Sequence, residues 1–234
     1  MRLSQLYVYP VKGCRAVAVD QATLGPLGLE HDRRFAFVDA DARAVTQRDQ
    51  PLLATIGATL DEGVLRLDFG GLTDTAVPLD SFAAGTSVDV WGTRIPARGT
   101  PADPASDYLG MRVWLVMLDA DARRSFADSK PVLVTTTGML AALGVPGVGM
   151  DRFRPNIVLE GNARWRELRG GDTVLQYAEP CSRCEVTTID QASGARRGPE
   201  PLRTLNERFA GNFGVYCRVA RGGCLRHGET LIAA

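Results

Sequence analysis

Residues 64–71 read VLRLDFGG, and the alternation within them decides the class of fold. Leu65, Leu67 and Phe69 alternate with Arg66 and Asp68, which is the period of a strand with one buried face and one face in water. The stretches LYVYPV (6–11) and TSVDVWG (86–92) repeat the pattern, and glycine or proline interrupts the first hundred residues every few positions. We therefore predict many short strands and tight turns, as in a barrel or sandwich.

Five further stretches extend this interpretation along the chain. RRFAFVDADARAVTQR (33–48) has two apolar runs around DADA and predicts a hairpin. MRVWLVML (111–118) is typical of a buried strand, whereas TTTGMLAALG (135–144) and PLRTLNERFA (201–210) predict short helices that begin at a threonine and a proline. The segment RGTPADPAS (98–106) is rich in small residues, so we expect two domains, 1–97 and 98–234.

Composition limits the classes of function. The chain has 234 residues, 45% of them hydrophobic, and its formal net charge is zero, so we expect no nucleic-acid partner. The start lacks the apolar run of a signal peptide, and no stretch approaches eighteen apolar residues, so we expect no leader and no membrane span. Five cysteines in no regular framework fit a reducing compartment. We expect a cytoplasmic monomer.

The stretch EPCSRCEVTTID (179–190) places Cys181 and Cys184 three residues apart. A structural zinc site needs four ligands, and the chain has only two histidines, His31 and His227. A dithiol redox motif normally opens a helix, whereas EVTTID is β-branched and predicts a strand. Two other interpretations of these residues remain. Either one of the two thiolates binds a metal, or the two cysteines have no special function.

Basic residues gather in four short motifs that could bind an anion. Lys12 follows a proline in YPVKG, and lysine occurs elsewhere only at Lys130. A turn of this kind offers an ammonium and backbone N–H groups together, although a solvated turn lysine is the simpler reading. Arginines also stand in DRRF (32–35), TQRDQP (46–51) and DRFRPNIVLEG (151–161). In the last motif they precede a predicted buried strand, where they need acidic partners or a bound anion.

The order of these motifs resembles one known family. YPVKG, DRRF, TQRDQP, FRPNIVLEG, WRELRGGD (165–172) and PCSRCEVTTID follow one another along the chain. This order is similar to that of the MOSC family, named after the C-terminal domain of molybdenum cofactor sulfurase. Within it, the sequence most resembles the branch with the mitochondrial amidoxime-reducing components and their bacterial relatives. The resemblance implies a β-rich α+β fold, in which a MOSC N-terminal β-barrel (1–97) packs on a MOSC β-barrel domain (98–234) with a few short helices.

The resemblance also implies a cofactor and its site. In this family a molybdenum cofactor, a pterin dithiolene with a terminal phosphate, lies in the cleft between the two domains. Cys184 matches the metal ligand of the family and is thus the expected metal-binding and catalytic residue. At Gly13, where many relatives have serine, a backbone N–H would replace a hydroxyl. The expected cofactor-binding residues are Lys12, Gly13, Arg34, Arg48, Thr136, Thr137, Arg154, Asn156, Ser182 and Arg183.

The function that the resemblance implies is the reduction of N-hydroxylated compounds. Hydroxylamines, N-hydroxylated purine bases and amidoximes are the expected substrates, and they would lose oxygen to give the amine or amidine. No iron–sulfur segment follows the second domain in this sequence, so we expect a separate electron-donor protein of flavin reductase, ferredoxin or cytochrome type. Two alternatives remain: a carrier or storage protein for the cofactor, and a protein that transfers sulfur or disulfides through Cys181 and Cys184.

Overall fold

The computed structural model describes residues 1–71, 74–162 and 164–234, apart from the side chain of Ala84. Within these ranges strands dominate. They are β1 Leu3–Val8, β2 Val17–Ala18, β3 Gln21–Gly25, β4 Gly28–Leu29, β5 Phe35–Val38, β6 Gly57–Asp61, β7 Val64–Asp68, β8 Asp74–Pro78, β9 Ala83–Val90, β10 Thr93–Pro101, β11 Trp114–Leu118, β12 Val132–Thr136, β13 Ile157–Leu159, β14 Glu167–Gly170, β15 Thr173–Ser182, β16 Asn212–Arg221, β17 Gly223–Arg226 and β18 Ile232–Ala233.

Three α-helices of seven residues each occur in the described ranges: α1 Asp103–Leu109, α2 Thr137–Leu143 and α3 Leu202–Arg208. Four 3-10 helices lie at 51–55, 79–81, 150–153 and 185–188. None of the helices in this part of the chain is long and apolar enough to cross a bilayer. The predicted β-rich α+β fold is confirmed, as are the two short helices with a threonine and a proline at their starts.

The strands form four sheets. The largest has the order β18-β14-β15-β16-β12-β13-β1-β2, and the second has the order β5-β11-β10-β9. Two three-stranded sheets have the orders β17-β3-β4 and β6-β7-β8. Strand β1 begins the chain yet pairs antiparallel with β13, so the first strand belongs to the sheet of the second half. The segment that follows β1 therefore leads directly from the large sheet to β5, where Val11 bridges to Phe35.

The two largest hydrophobic cores of the described residues each draw on both halves of the chain. The first includes Phe35, Phe37, Leu53 and Leu65 together with Leu115, and the second includes residues of β1, β12, β13 and β15. Each fully buried leucine or phenylalanine contributes about 1.5–3 kcal/mol through the removal of apolar surface from water. The site described below is lined by residues from both halves of the chain.

One sequence-based expectation differs in detail from the structure. The turn of the predicted hairpin forms, because the N–H of Asp39 donates to Arg43 O at 3.0 Å. Its second arm is not a strand: in the described residues one bridge, between Val38 and Ala44, returns along β5. The N–H of Thr46 donates to Asp49 Oδ2 instead, so the chain folds away into a turn. Residues 97 and 98, between which the domain boundary is expected, lie in β10, and the division into two domains stays a prediction.

Candidate functional site

The turn after β1 carries Lys12 into the interior. The backbone N–H of Lys12 donates to Phe35 O at 2.7 Å, which fixes the turn against the second sheet. The ammonium group donates to the carboxylate of Asp128, and the side chain of Lys12 is only 9% exposed. Burial lowers the pKa of Lys12, although the charge of Asp128 opposes the shift. Gly13 then adopts a φ of +81°, a left-handed conformation that glycine tolerates best.

Two arginines lie over one buried aromatic ring. The guanidinium carbons of Arg33 and Arg154 are 4.1 and 4.5 Å from the centroid of the Tyr9 ring, within the range of cation–π attraction. Arg33 also pairs with Asp32 at 2.6 Å, and Asp32 accepts the N–H of Tyr9 at 2.8 Å. Arg154 donates to the backbone oxygen of Cys14 at 2.7 Å. We call Lys12, Arg33 and Arg154 the cationic wall.

The rim of the site is formed by an exposed tryptophan. Trp91 is 56% exposed, and its Nε1 donates to Asp128 Oδ1 at 2.9 Å. The guanidinium carbon of Arg48 lies 4.6 Å from the centroid of the Trp91 ring. Burial alone would raise the pKa of Asp128, but the Lys12 charge and the hydrogen bonds from Lys12 and Trp91 hold it well below the usual range. Asp128 is therefore a carboxylate at neutral pH.

The opposite side of the site is the loop that ends β15. Cys184 precedes the 3-10 helix Glu185–Thr188, and its carbonyl accepts the N–H of Thr187 at 3.1 Å and the Thr187 hydroxyl at 2.9 Å. The Nε of buried Arg152 donates to Thr187 O at 2.8 Å. The prediction of a strand for EVTTID is thus wrong, because hydroxyl and carbonyl groups within the segment pair locally and favour a turn over a ladder.

The two cysteines of the C-x-x-C motif occupy different environments. All five cysteines of the chain are free thiols. Cys181 is 1% exposed, and Arg183 Nη1 donates to its sulfur at 2.9 Å. Cys184 is only partly buried and, among the residues that the structure describes, is the one cysteine that lines the cleft. We call Cys181, Arg183 and Cys184 the thiol wall.

The cationic wall and the thiol wall face a common cleft with a volume of about 570 Å³. Although the chain as a whole is neutral, the described lining is strongly cationic. It carries two carboxylates, Asp128 and Glu179, against six cations: Lys12, Arg33, Arg48, Lys130, Arg154 and Arg183. A cleft with this excess of positive charge attracts an anionic ligand. The lining also includes polar groups without a full charge: Gln47, Ser129, Asn156, Ser182 and Tyr216.

The structure brings together most of the residues that the sequence singled out. Eight of them line the cleft: Lys12, Gly13, Arg48, Arg154, Asn156, Ser182, Arg183 and Cys184. Asn156 also ties strands to one another, since its Oδ1 accepts the N–H of Leu133 at 3.1 Å and its Nδ2 donates to Tyr7 O at 3.2 Å.

Three of the sequence-predicted residues lie elsewhere. Arg34 lines a separate cavity with Arg98, because successive residues near the start of β5 point to opposite sides and Arg33 takes the place in the cleft. The hydroxyl of Thr136 accepts the N–H of Met139 at 3.1 Å as the cap of α2. The hydroxyl of Thr137 accepts the N–H of Gly161 at 3.0 Å. Neither threonine is among the residues that line the cleft.

Sequence reasoning missed several lining residues. Gln47, Asp128, Ser129, Glu179 and Tyr216 all line the cleft. Lys130 is one of only two lysines in an arginine-rich chain, and both lysines line the cleft. Asp128 and Ser129 have no periodic or compositional signal, because the segment 119–131 has neither helical nor strand alternation and is placed by tertiary contacts.

Comparison with known proteins assigns the family. The chain matches the MOSC N-terminal beta barrel domain over residues 1–114 and the MOSC domain over residues 121–232. The chain belongs to the MOSC family. This MOSC protein is 29% identical to mitochondrial amidoxime-reducing component 1 of Xenopus laevis, over 98% of the chain and 81% of the relative. It is 30% identical to the human protein of the same description, over 87% of the chain and 70% of the relative.

A second group of relatives is matched over a smaller part of their length. Molybdenum cofactor sulfurase of Drosophila melanogaster is 30% identical over 92% of this chain, which spans only 31% of that relative. The shared part is thus most of the present chain and a minor part of the sulfurase. The similarity places this MOSC protein near both groups and gives the family, while the activity has to be argued from the site.

Proposed function

We propose that this MOSC protein is a molybdenum-cofactor-dependent reductase of N-hydroxylated compounds. The observation that carries the proposal is the partly exposed thiol of Cys184 in a cleft lined by six cations. A soft sulfur donor suits molybdenum better than hard cations, and the positive lining suits the phosphate of the pterin. Relatives over nearly the whole chain are named amidoxime-reducing components.

The described residues fit such a group. Arg183 Nε is buried and lacks a hydrogen-bond partner, and a buried donor without a partner is costly unless a ligand satisfies it. The cleft volume of about 570 Å³ lies in the usual range for small-molecule and cofactor sites. In this proposal Cys184 binds the metal, and Lys12, Arg33 and Arg154 bind the anionic part. Arg33 thereby replaces Arg34 of the sequence-based set.

The bound group supplies the two-electron redox chemistry, and the protein supplies binding, orientation and protons. The backbone of Cys184 is held by Thr187, so the sulfur is presented from a fixed turn. Burial and then the neighbouring Cys181 raise the pKa of Tyr216, which lines the cleft. Its hydroxyl therefore keeps its proton at neutral pH and can hold a hydrogen bond to a substrate oxygen.

The substrates in this proposal are hydroxylamines, N-hydroxylated purine bases and amidoximes. The electrons come from a separate protein of flavin reductase, ferredoxin or cytochrome type. The open rim at Trp91 and Arg48 gives small molecules access to the cleft. We propose that the protein works as a cytoplasmic monomer.

The decisive experiment measures metal and pterin content, and then activity. Protein made in a cofactor-competent host is expected to contain molybdenum and pterin, and to reduce 6-hydroxylaminopurine with reduced methyl viologen as the electron source. Cys184→Ser is expected to lower the rate at least a hundredfold. Protein without molybdenum under these conditions would contradict the proposal.

The same measurements separate the two alternatives. Sulfur or disulfide transfer needs both thiols, so Cys181→Ser and Cys184→Ser would then abolish function equally. The environment of Cys181, 1% exposed with its sulfur already bonded by Arg183, argues against that chemistry. A cofactor carrier would be fully loaded with molybdenum and still fail to reduce any N-hydroxylated substrate.

A further inference from the structure

The buried sulfur of Cys181 has no part in the function proposed so far, yet it is bonded by a cation. Arg183 Nη1 donates to Cys181 Sγ at 2.9 Å, and the Cys181 sulfur lies 3.8 Å from Ser182 O. Tyr216 lies beside the same sulfur and contributes to this cluster. A buried thiol that serves only to fill space does not need an arginine, whose burial is expensive.

Arg183 is held at almost every polar atom. Its Nη2 donates to Phe153 O at 2.8 Å, and its backbone N–H donates to Gly211 O at 2.8 Å. The guanidinium carbon lies 5.7 Å from the centroid of the Phe153 ring. Of the three side-chain nitrogens of Arg183, Nε is the one that is buried without a partner. The side chain lines the cleft next to Cys184.

We propose that Cys181 is a positioning residue, whose sulfur fixes Arg183 so that Arg183 Nε–H is kept as a donor for the ligand of the cleft. The nature of that ligand rests on the function proposed above, whereas the fixation of Arg183 does not. The two cysteines of the motif thus have different roles: Cys184 contacts the ligand, and Cys181 acts only through Arg183.

A second buried cysteine gives a matched control. Cys217 is 0% exposed in β16, and its sulfur makes only a contact of 3.8 Å to Val215 O. Replacement of either cysteine by valine keeps the volume nearly constant. Only at position 181 does the change leave an N–H of Arg183 without its acceptor. If the role of Cys181 were purely structural, the two replacements would have the same effect.

The test uses cofactor-free protein and two readouts. The first is the ¹⁵N–¹H correlation signal of Arg183 Nε, assigned by its loss in Arg183→Lys. We expect a sharp signal in the wild type, in Cys181→Ser, where the hydroxyl keeps an acceptor, and in Cys217→Val. We expect the signal to broaden or disappear in Cys181→Val, or in Cys181→Ala should the valine variant not fold.

The second readout is the Kd for inorganic pyrophosphate, used as a probe of the cleft. Cys181→Val is expected to weaken binding about tenfold, which corresponds to about 1.4 kcal/mol, and to have no effect in an Arg183→Met background. An unchanged Nε signal in Cys181→Val, an equal loss in Cys217→Val, or additive effects of the two changes would overturn the proposal. A protein that passes these tests but contains no molybdenum would contradict only the proposed function.

Discussion

The cationic wall and the thiol wall face one cleft but are stabilised in different ways. In the cationic wall, Lys12 pairs with Asp128 and Arg33 pairs with Asp32. In the thiol wall, Arg183 is held by the sulfur of Cys181 and a backbone carbonyl. Full charges that are buried in pairs depend strongly on their partners, whereas the groups that hold the Arg183 side chain include no carboxylate. The first wall should respond to charge and pH, and the second to packing.

The largest effect is expected when a buried ion pair of the cationic wall is broken. Asp32→Asn removes the charge that faces Arg33. The side chain of Asp32 is only 1% exposed, so water cannot take its place as the partner of Arg33. We expect a loss of about 3–5 kcal/mol in the free energy of unfolding, measured by urea denaturation. Glu160→Gln, which breaks an exposed pair with Arg2, should cost less than about 1 kcal/mol. Equal losses would show that the buried pair has no special role.

The next effect concerns anion binding by the same wall. Lys12→Met removes a buried ammonium from the cleft, and hydrogen bonds to charged groups contribute about 1.5–3 kcal/mol. We expect the Kd for pyrophosphate, measured by calorimetry, to rise about 10- to 100-fold. The matched change Lys130→Met removes the other lysine, which is more exposed and paired with Glu179. It should raise the Kd less than about fivefold, and a reversed order would contradict the division of the cleft proposed here.

A smaller effect is expected from packing behind the thiol wall. The rings of Phe153 and Phe213 are stacked with centroids 3.6 Å apart and an interplanar angle of 16°. Phe213→Leu should lower the free energy of unfolding by about 1–2 kcal/mol, independently of salt concentration, and should broaden the Arg183 Nε signal. Phe82→Leu, in the first core and not in the cluster of Phe153 and Phe213, should destabilise to a similar degree and leave that signal unchanged.

The smallest effect is a pH dependence at the rim. The pKa of Asp128 in the folded state lies below the ordinary value of about 3.8, so the unfolded state binds a proton first as the pH falls. The carboxylate therefore contributes stability above pH 3.8 that is lost as the pH falls towards the lowered pKa. The melting temperature of the wild type should exceed that of Asp128→Asn near pH 6, and the difference should vanish in strong acid. A constant difference would contradict this assignment.

The adjacent arginines 33 and 34 illustrate what sequence reasoning could not decide. The motif DRRF marks both residues as candidates for anion binding. In the structure Arg33 has a φ of +47° and its guanidinium lies over Tyr9, whereas Arg34 faces a different cavity. Which of two neighbours enters a cleft depends on the local backbone conformation at the strand entrance. That conformation is set by the hydrogen bond from Arg33 N to Tyr9 O, between distant parts of the sequence.

For the threonines of TTTGMLAALG, the sequence predicts the secondary structure but not the role of the hydroxyl groups. Their hydroxyls suit a helix cap or an anion equally well, and the sequence predicts the helix correctly at Thr137–Leu143. The structure uses both hydroxyls within the fold, for Met139 N and Gly161 N. A residue type that satisfies two physical needs is assigned only when its neighbours in space are known.

By itself, the sequence determined the β-rich class, the short capped helices and the motifs of the family, because alternation and capping are local properties. It also marked Lys12, Arg154 and Cys184, which the fold gathers at one cleft. Only the tertiary structure decided that β1 joins the sheet of the second half and that Cys181 is buried under Arg183. The first feature depends on the pairing of β1 with β13, far along the chain. Cys181 and Arg183 are close in sequence, but the carbonyl of Phe153, thirty positions away, holds the Arg183 side chain in place, and no local pattern encodes such contacts.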